Sequence, residues 1–493
     1  MNRLFAAFLV ALLALPGFAQ MPSAPKSVYF GIFLKESKLG HMYQETDSTA
    51  RYKGKPAVKV LVRSVMNIAL LGADGTITTS AVVYMDTKTG ATLAEESRTE
   101  ASGRVTEIKA TYTANSVSFT ATVQGVVKSG TLTLKPGESF VRDPSDGPGQ
   151  KPVPGTRVKG KAFSSDTQTL VDIEIMVGAK ETVVVQGKAV TAYKLQTTSS
   201  VPSTSYVNED GELLLSRVAL GIEIRRLPRE LALVTGKNID LADSIGVRPS
   251  GASLEKAART SHYAVYELGR VTRPLPPKDS VQAWEALPIA DEEKNTKTLR
   301  VIVTVLDLPT EPTVPVFAVR DAAPERLKRF LSATQFVPSD DLSFKTLARR
   351  VIGSETDAAK VAQLLAEHTH KTIKPDPSIL AVRTAQDIRK DPRGVCRDYT
   401  TYFTTLARAI GLPTKQCTGL AYANGLFLYH AWPEVYVGQD ARGADLWVAL
   451  EPTWGAPFAD ATHLKLAEGE ITDITNIAAD MGNYTIKVLE VRD

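Results

Sequence analysis

Three side chains near the C-terminus could together carry out acyl transfer: the thiol of Cys396, the imidazole of His430 and the carboxylate of Glu451. A thiol becomes a strong nucleophile when a nearby imidazole takes its proton. A carboxylate on the other ring nitrogen then holds the imidazole in the correct tautomer and orientation. Because the three residues follow the order nucleophile, base and carboxylate along the chain, the sequence predicts a cysteine–histidine–carboxylate catalytic site.

The residues after Cys396 have the spacing of one face of a buried helix. Apolar side chains recur at helical intervals over 399–410, and Gly411 followed by Pro413 is a typical helix stop. Cys396 is therefore expected at the N-terminus of this helix, with Asp398 as a charge in the first turn. The helix dipole stabilises a thiolate at that position, and free N–H groups there could donate to an oxyanion.

Two strands are expected to carry the other two members of the site. The range 435–437 reads as a strand with His430 just ahead of it, and 446–450 reads as a strand that ends at Glu451. Pro452 follows and lacks the N–H that another ladder bond would need. A helix and two strands would thus present a thiol, an imidazole and a carboxylate to one another.

The stretch 385–466 resembles the transglutaminase-like superfamily, whose members have a papain-like α+β domain. The matching pieces are Arg393-Gly394-Val395-Cys396 with the helix ending in Gly411-Leu412-Pro413, Thr418-Gly419-Leu420, His430-Ala431-Trp432-Pro433-Glu434-Val435, and Trp447 to Gly455. The resemblance implies that Cys396 is the nucleophile, His430 the base and Glu451 the third member. The family usually has aspartate in place of Glu451, and the longer side chain can still accept the imidazole N–H if its backbone lies slightly farther back.

Neighbouring aromatic and polar residues each have two interpretations. Trp432 and Trp454 could wall an acyl-binding groove, but core packing is favoured for both. Gln386 could donate to an oxyanion, although a surface position is favoured. Cys417 reads as a core residue rather than the disulfide partner of Cys396, which leaves the latter as a reactive thiol.

The sequence predicts no metal site and no cofactor. His368 and His370 are two positions apart, and a helix points such a pair in different directions. His463 follows Asp460 in what reads as a polar, solvated loop. The sequence also lacks zinc-ligand spacing, a calcium-binding loop and a phosphate-binding loop.

The range 1–19 has the layout of a secretory signal peptide. A positive start precedes an almost wholly apolar run over 5–18, and small residues lead to an expected cut between Ala19 and Gln20. The run is shorter than the about 20 residues of a membrane-spanning helix, although an uncleaved anchor is the alternative. The mature protein is therefore expected outside the cytoplasm, periplasmic or secreted, without stable membrane insertion.

Composition is ordinary for a globular protein. Hydrophobic residues make up 43% and charged residues 23%, and the net charge is +4 from 58 basic and 54 acidic side chains. This balance argues against nucleic acid as a partner. Because a single core stops growing near about 250–300 residues, a chain of 493 residues predicts several domains.

The predicted fold class is α+β, with N-terminal antiparallel β-rich regions before the mixed domain that carries the site. Alternating strands and turn signals predict β-rich domains over 20–154 and 155–320, and helical periodicity marks a transglutaminase-like domain over 321–493. A segment rich in proline and glycine, 143–154, is expected to link the first two. The two β-rich regions could also be halves of one larger sheet.

By the resemblance, the leading hypothesis is an exported thiol acyl-transfer enzyme that acts on peptide or glutamine carboxamide bonds of a protein or peptide substrate. Cys396 would form a thioester that water or an amine resolves, with hydrolysis favoured over cross-linking. The alternative is a non-catalytic envelope protein that binds a protein or peptide partner. A further resemblance, to arylamine acetyltransferases, is opposed by the predicted export because acetyl-coenzyme A is cytosolic.

Overall fold

The computed structural model divides the chain into two compact units, Met1–Ser244 and Ile245–Asp493. It describes residues 25–70, 73–101, 103–123, 125–141, 151–165, 168–199, 202–218, 221–234, 236, 245–272, 274–291, 296–306, 313–317, 323–377, 379, 382–470 and 482–493. The predicted signal peptide at 1–19 and most of the predicted linker at 143–154 lie outside these residues. In the described part of the chain no helix is both long and apolar enough to cross a membrane.

The first unit is a single antiparallel sheet. Its strands are β1 (Lys26–Leu34), β2 (Ser37–Asp47), β3 (Arg51–Tyr52), β4 (Lys55–Leu70), β5 (Ala73–Asp86), β6 (Thr92–Ala101), β7 (Arg104–Tyr112), β8 (Ser116–Val123), β9 (Val126–Thr133), β10 (Arg157–Ser164), β11 (Thr169–Val185), β12 (Lys188–Thr198), β13 (Ser203–Val207), β14 (Leu213–Val218) and β15 (Ile222–Leu227). A single turn of helix, α1 (Arg229–Ala232), follows them.

The sheet is built from consecutive hairpins that are joined by one long-range pairing. The order is β10-β11-β12-β13-β14-β15-β1-β2-β4-β5-β6-β7-β8-β9, and β3 pairs with β4. The β1–β15 pairing places Phe30 opposite Arg226 and Ile32 opposite Ile224. This sheet crosses the predicted boundary at 154/155, so the two β-rich regions share it up to β15.

The two outermost parts of the sheet also contact each other. The rings of Phe119 in β8 and Phe163 in β10 lie 5.2 Å apart between centroids. Both rings belong to one apolar cluster with Ile108 and Val117. A β-bridge between Phe140 and Lys161 adds a backbone connection at the same place.

The second unit contains two antiparallel sheets and a group of helices. Its elements are β16 (Ser250–Gly251), β17 (Tyr263–Val271), β18 (Gln282–Asp291), β19 (Thr296–Thr304), α2 (Glu325–Lys328), a 3-10 turn (Arg329–Leu331), α3 (Leu342–Ile352), α4 (Ala358–Thr372), β20 (Lys374–Pro375), α5 (Ala385–Lys390), β21 (Arg393–Gly394), α6 (Cys396–Ala409), β22 (Thr414–Ala423), β23 (Leu426–Gln439), β24 (Asp445–Ala449), β25 (His463–Gly469) and β26 (Thr485–Arg492).

The four-stranded sheet and the helices form the mixed part of this unit. The sheet order is β24-β23-β22-β25, and α3, α4 and α6 pack on it through an apolar cluster that includes Phe403, Leu406 and Val435. The five-stranded sheet has the order β16-β26-β17-β19-β18. The chain is therefore β-rich at its N-terminus and mostly β-strand overall, with its longer helices gathered in the second unit.

The second unit begins well before the predicted boundary at 320/321. Val301 of β19 and Tyr266 of β17 share one core cluster with Leu420 of β22 and Phe427 of β23. Because the five-stranded sheet packs in this core, residues from 245 onward belong with the site-bearing domain. The predicted segment 155–320 is thus divided between the two units.

Helix α6 is the element that the sequence defines best. It begins at Cys396, and the side chains from Asp398 to Ala409 are buried. After the helix, the N–H of Gly411 donates to Arg408 and that of Leu412 donates to Ala407, which is the Schellman pattern. Gly411 has a φ of +89°, and a Cβ there would lie 1.7 Å from the carbonyl oxygen of Phe317. The predicted helix and its glycine stop are confirmed.

Replacing Gly411 with alanine should destabilise the second unit by more than about 3 kcal/mol, because a left-handed conformation and a backbone clash add together. The matched control is Gly353→Ala after α3, where φ is +61° and the space is open. That variant should lose less, about 1–3 kcal/mol, because only its backbone conformation is strained. Urea unfolding followed by tryptophan fluorescence measures both, since all four tryptophans lie in the second unit. Equal losses of unfolding free energy in the two variants would contradict the backbone clash at Gly411.

Candidate active site

The turn before α6 is fixed by a buried ion pair. Nε of Arg383 donates to Oδ1 of Asp398 at 2.9 Å, while Oδ2 of Asp398 accepts the N–H of Val395 at 3.0 Å. Arg383 also donates to the carbonyl of Arg393. Asp398 lies in the first turn, as predicted, and it joins the turn to the helix. These bonds set the position of Cys396 at the N-terminus of α6.

His430 is carried by the long strand β23 rather than lying ahead of a short one. The strand begins at Leu426 and pairs His430 with Gly419 of β22. The prediction of a strand at 435–437 found only the part after Pro433. The proline and the histidine obscured the first half of the strand, because neither is typical of a sheet interior.

Glu451 follows β24 and contacts the imidazole of His430. Nε2 of His430 and Oε2 of Glu451 are 2.6 Å apart. The other carboxylate oxygen accepts the N–H groups of Thr453 and Trp454 at 2.9 and 3.2 Å. The glutamate is only 1% exposed. Its extra methylene, relative to the aspartate of the family pattern, therefore leaves it in contact with the imidazole.

The thiol and the imidazole also interact. Burial alone would raise the pKa of Cys396, but the charge and hydrogen bond of His430 and the N–H of Ala431 lower that pKa below its ordinary value. Since Nε2 of His430 faces Glu451, the other ring nitrogen, Nδ1, is left for the thiol. The structure thus places the three predicted residues together: Glu451 contacts His430 directly, and His430 lies close enough to Cys396 to lower the pKa of its thiol.

Opposite charges stabilise the ionised form of this chain. Burial opposes a charge on His430, yet Glu451 and Cys396 raise the pKa of the imidazole to about 10. Burial likewise opposes a charge on Glu451, but His430 holds the pKa of this carboxyl well below its ordinary value. The lowered pKa of Cys396 and the raised pKa of His430 both favour the thiolate–imidazolium pair over a thiol beside a neutral imidazole.

His463 is the site residue that the sequence did not reveal. It is 3% exposed, and its Nε2 lies 3.0 Å from Oε2 of Glu451. The prediction of a solvated polar loop was wrong, because β25 begins at His463 and pairs with β22. A Cβ at Gly419 would lie 1.9 Å from the carbonyl oxygen of Leu464, so glycine permits this close pairing. The alternating pattern from His463 to Leu466 was the available strand signal.

Two indoles enclose the ring of His430. Trp454 stacks on it with centroids 4.4 Å apart and planes at 10°, and the guanidinium of Arg259 lies 3.5 Å over the same indole. Trp432 lies on the ring at 6.3 Å and 20°, and it is packed in the core with Cys417. Of the two interpretations given for the tryptophans, core packing holds for Trp432, whereas Trp454 is partly exposed at the site.

The remaining predicted residues lie apart from the reacting groups. Gln386 lies in α5 and is close enough to Asp341 to help lower the pKa of that carboxyl. Cys417 is a buried free thiol, and burial raises its pKa well above the ordinary value. His368 stacks on a tyrosine, whereas Nδ1 of His370 lies 3.0 Å from the carbonyl oxygen of Pro452.

Among the described residues, two clusters place enough ligand atoms together to hold a metal ion. In the first, His430, Glu451 and His463 are joined at hydrogen-bond distances of 2.6 and 3.0 Å. Ligands of a tetrahedral zinc ion lie about 3.4 Å apart, given zinc–ligand bonds of about 2.1 Å. The two distances in this cluster are those of hydrogen bonds, and they are shorter than the spacing of ligands around a zinc ion.

The second cluster consists of Asp279, Glu434 and Glu468, and two lysines lie among its carboxylates. Nζ of Lys465 lies 2.9 and 2.7 Å from the two oxygens of Glu434 and also contacts Asp279. Nζ of Lys415 is 3.1 Å from Asp279 and 3.0 Å from Glu468. Ammonium groups already supply the positive charge that these acids need.

Part of the chain is similar to a known protein family. Residues 345–452 match the family model described as the transglutaminase-like superfamily, so the chain carries a domain of that superfamily. The matched segment includes Cys396, His430 and Glu451, whereas His463 lies beyond it. No curated protein matches the chain.

Two solved structures are similar at low identity. A crystal structure described as a candidate cysteine protease of Cytophaga hutchinsonii is 17% identical, covers 47% of this chain and 89% of that chain, and has a TM-score of 0.32. A crystal structure described as a candidate protease of Parabacteroides distasonis is 10% identical, covers 78% of this chain and 66% of that chain, and has a TM-score of 0.19.

The lowered pKa of Cys396 predicts fast alkylation by iodoacetamide at pH 6. An ordinary thiol with a pKa of about 8.5 is about 0.3% thiolate at that pH. Cys396 should react at least about tenfold faster than glutathione under the same conditions. Peptide mapping by mass spectrometry separates it from Cys417, which serves as the buried internal control.

His430→Ala should remove most of this advantage, because the thiolate loses its counter-ion. The thiolate–imidazolium pair of Cys396 and His430 would be contradicted if Cys396 of the folded protein reacts no faster than glutathione at pH 6.

Proposed function

We propose that the chain is an exported cysteine hydrolase of the transglutaminase-like type, which cleaves peptide or glutamine carboxamide bonds through a thioester. The observation that carries the proposal is the hydrogen bond between His430 and Glu451, with His430 close enough to Cys396 to lower the pKa of its thiol. Its members have the roles of nucleophile, general acid–base and orienting carboxylate. The directions of the pKa shifts of Cys396 and His430 favour the charges that such an enzyme needs before substrate arrives.

The first half-reaction forms the acyl-enzyme. The thiolate of Cys396 attacks the carbonyl carbon, and the carbonyl electrons move onto oxygen. Collapse of this intermediate breaks the C–N bond, and the leaving amine or ammonia takes the proton from Nδ1 of His430. The product is a thioester on Cys396 and a neutral imidazole that still donates from Nε2 to Glu451.

The second half-reaction releases the acid. A water molecule gives a proton to Nδ1 of His430 and attacks the thioester carbonyl. Collapse then expels the Cys396 thiolate and leaves a carboxylic acid. Because water is the acceptor in large excess, hydrolysis is proposed in preference to transfer to an amine.

The N-terminus of α6 is the proposed oxyanion site. The first N–H groups of a helix have no acceptor within the helix, and they point along its axis toward bound anions. The N–H of Cys396 lies in this first turn and is close to its own sulfur. A negative oxygen formed by attack of that sulfur would therefore develop beside a donor.

Cys396→Ala tests the proposal directly. The wild-type protein is incubated with a library of glutamine-containing peptides, and mass spectrometry follows new peptide ends, deamidation and incorporation of an added primary amine. The variant should lose at least about 10³-fold in rate for whichever product the wild type forms.

Cys417→Ala is the matched control, since it removes the other thiol without touching the proposed site. It should retain the wild-type products. A Cys396→Ala variant with undiminished turnover would rule out the thioester route, and amine incorporation exceeding hydrolysis would replace hydrolase by transferase.

Export is part of the same proposal and has its own test. A chain expressed in a Gram-negative host should be recovered outside the cytoplasm with Gln20 as its first residue, because the cut is proposed after Ala19. N-terminal sequencing and mass measurement of the recovered protein report this. A chain found in the cytoplasm that keeps residues 1–19 would contradict export.

A further inference from the structure

One oxygen of Glu451 is shared by two imidazoles. Oε2 lies 2.6 Å from Nε2 of His430 and 3.0 Å from Nε2 of His463. The two rings stand at 62° with centroids 5.6 Å apart. The acid–base group of the proposed reaction therefore shares its orienting carboxylate with a second histidine, which is supplied by the next strand of the sheet.

The hydrogen-bond partners of His463 determine its protonation. Its Nε2 faces Glu451, whose other oxygen accepts the backbone N–H groups of Thr453 and Trp454. Its Nδ1 lies 3.1 Å from the carbonyl oxygen of Asp460 and 3.3 Å from Oδ1 of the same residue. Both ring nitrogens thus face acceptors, and only a doubly protonated imidazolium can donate to both.

Asp460 is itself held in its ionised form by donors. Oδ1 accepts the N–H of Thr462 at 2.7 Å and also its hydroxyl. Oδ2 accepts the backbone N–H of Arg259 at 2.7 Å, and Nη1 of that guanidinium lies at 3.4 Å. An ionised Asp460 supplies the negative charge that a buried His463 imidazolium needs.

The charges therefore alternate along one line of contacts. The order of charges begins with the negative thiolate of Cys396. It continues with a positive His430, a negative Glu451, a positive His463, a negative Asp460 and a positive Arg259. The line runs from the nucleophile to the side chain of Arg259, which is 34% exposed.

Two other charged groups lie near His463. Lys465 and Glu434, from β25 and β23, line one cavity with His463 but form their own ion pair.

We propose that His463 is a permanently protonated positioning residue, which shares Glu451 with His430 and so sets how firmly His430 holds its proton. Its effect on catalysis rests on the proposed function, whereas its charge does not. A lone buried carboxylate would bind the His430 proton so strongly that transfer to the leaving amine becomes slow. The positive charge of His463 offsets part of that attraction.

The wild-type protein gives the first test. With ¹⁵N-labelled histidine, only six imidazoles contribute to the NMR spectrum. The signal of His463 is assigned by its absence from a His463→Gln variant. It should show two protonated ring nitrogens from about pH 5 to about pH 8, although an ordinary imidazole with a pKa of about 6.5 is mostly neutral at the upper end of this range. A neutral imidazole within that range would overturn the proposal.

The second test separates charge from shape. His463→Gln keeps a donor for Glu451 but loses the positive charge, so His430 should hold its proton more firmly. A unit charge at 5.6 Å, at an effective dielectric constant of about 20, corresponds to a rise in the His430 pKa of about two units. The imidazolium signal of His430, which in the wild type should decline near pH 10, should then persist beyond it.

Turnover should change in step with this titration. In His463→Gln, kcat should fall about threefold to tenfold with little change in KM, because a more firmly held proton is a poorer acid. The fall in rate on the alkaline side should also move to higher pH. Asp460→Asn is the second variant: it removes the anion that keeps His463 charged and should shift His430 in the same direction.

His368→Gln is the matched control, because it also removes an imidazole, here a half-buried one, from this unit. Burial lowers the pKa of His368 below its ordinary value, which favours the neutral ring, so no positive charge is expected to be lost with it. It should leave the His430 titration unchanged even if stability falls. An unchanged His430 titration in folded His463→Gln would refute the proposal, whatever the activity.

The outcomes distinguish this proposal from the proposed function. A shifted His430 titration in a chain that turns over no peptide would leave the charge role of His463 standing and refute the hydrolase. If the wild type turns over peptide and the His430 titration is unshifted in both His463→Gln and Asp460→Asn, the hydrolase stands and the charge role of His463 is refuted.

Discussion

The burial of one carboxylate constrains the whole site. An ionised group that is 1% exposed is stable in a protein only if charges or hydrogen-bond donors replace the water that it has lost. Glu451 meets this requirement with two imidazoles and two backbone N–H groups. These partners come from β23, from the turn after β24 and from β25, so the strands and the turn must all be in register before the glutamate can be buried.

The same requirement explains why the segment from 245 onward belongs with the site. Arg259 contacts Asp460 and lies over Trp454, and Asp279 supplies a charge for Lys415 and Lys465. Both residues precede the region that matches the superfamily model. The second unit is therefore larger than that matched region, because the five-stranded sheet completes its core and its ion pairs.

The sequence predicted the parts of this structure that depend on local signals. Helix α6 could be located because apolar spacing and the Gly411 stop agree, and Cys396 followed from its place before that helix. Glu451 could be placed because a strand ends immediately before it. The alternating strands of the first unit were also recognisable.

The missed features depend on contacts between distant residues. The β1–β15 pairing joins residues about two hundred positions apart, and no local pattern announces it. His463 lies only twelve positions after Glu451, but its burial depends on β25 pairing with β22 across the sheet. A histidine beside an aspartate looks polar in sequence, and only the fold turns that pair into a buried ion pair.

Whether the buried Glu451 holds a preformed thiolate–imidazolium pair is decided by the positions of the protons. Neutron diffraction from crystals of the resting protein at neutral pH would locate the protons themselves. We expect hydrogen on both ring nitrogens of His430 and on both ring nitrogens of His463, with none on Sγ of Cys396 and none on Glu451. A proton on Sγ beside a His430 protonated on Nε2 alone would contradict the preformed pair.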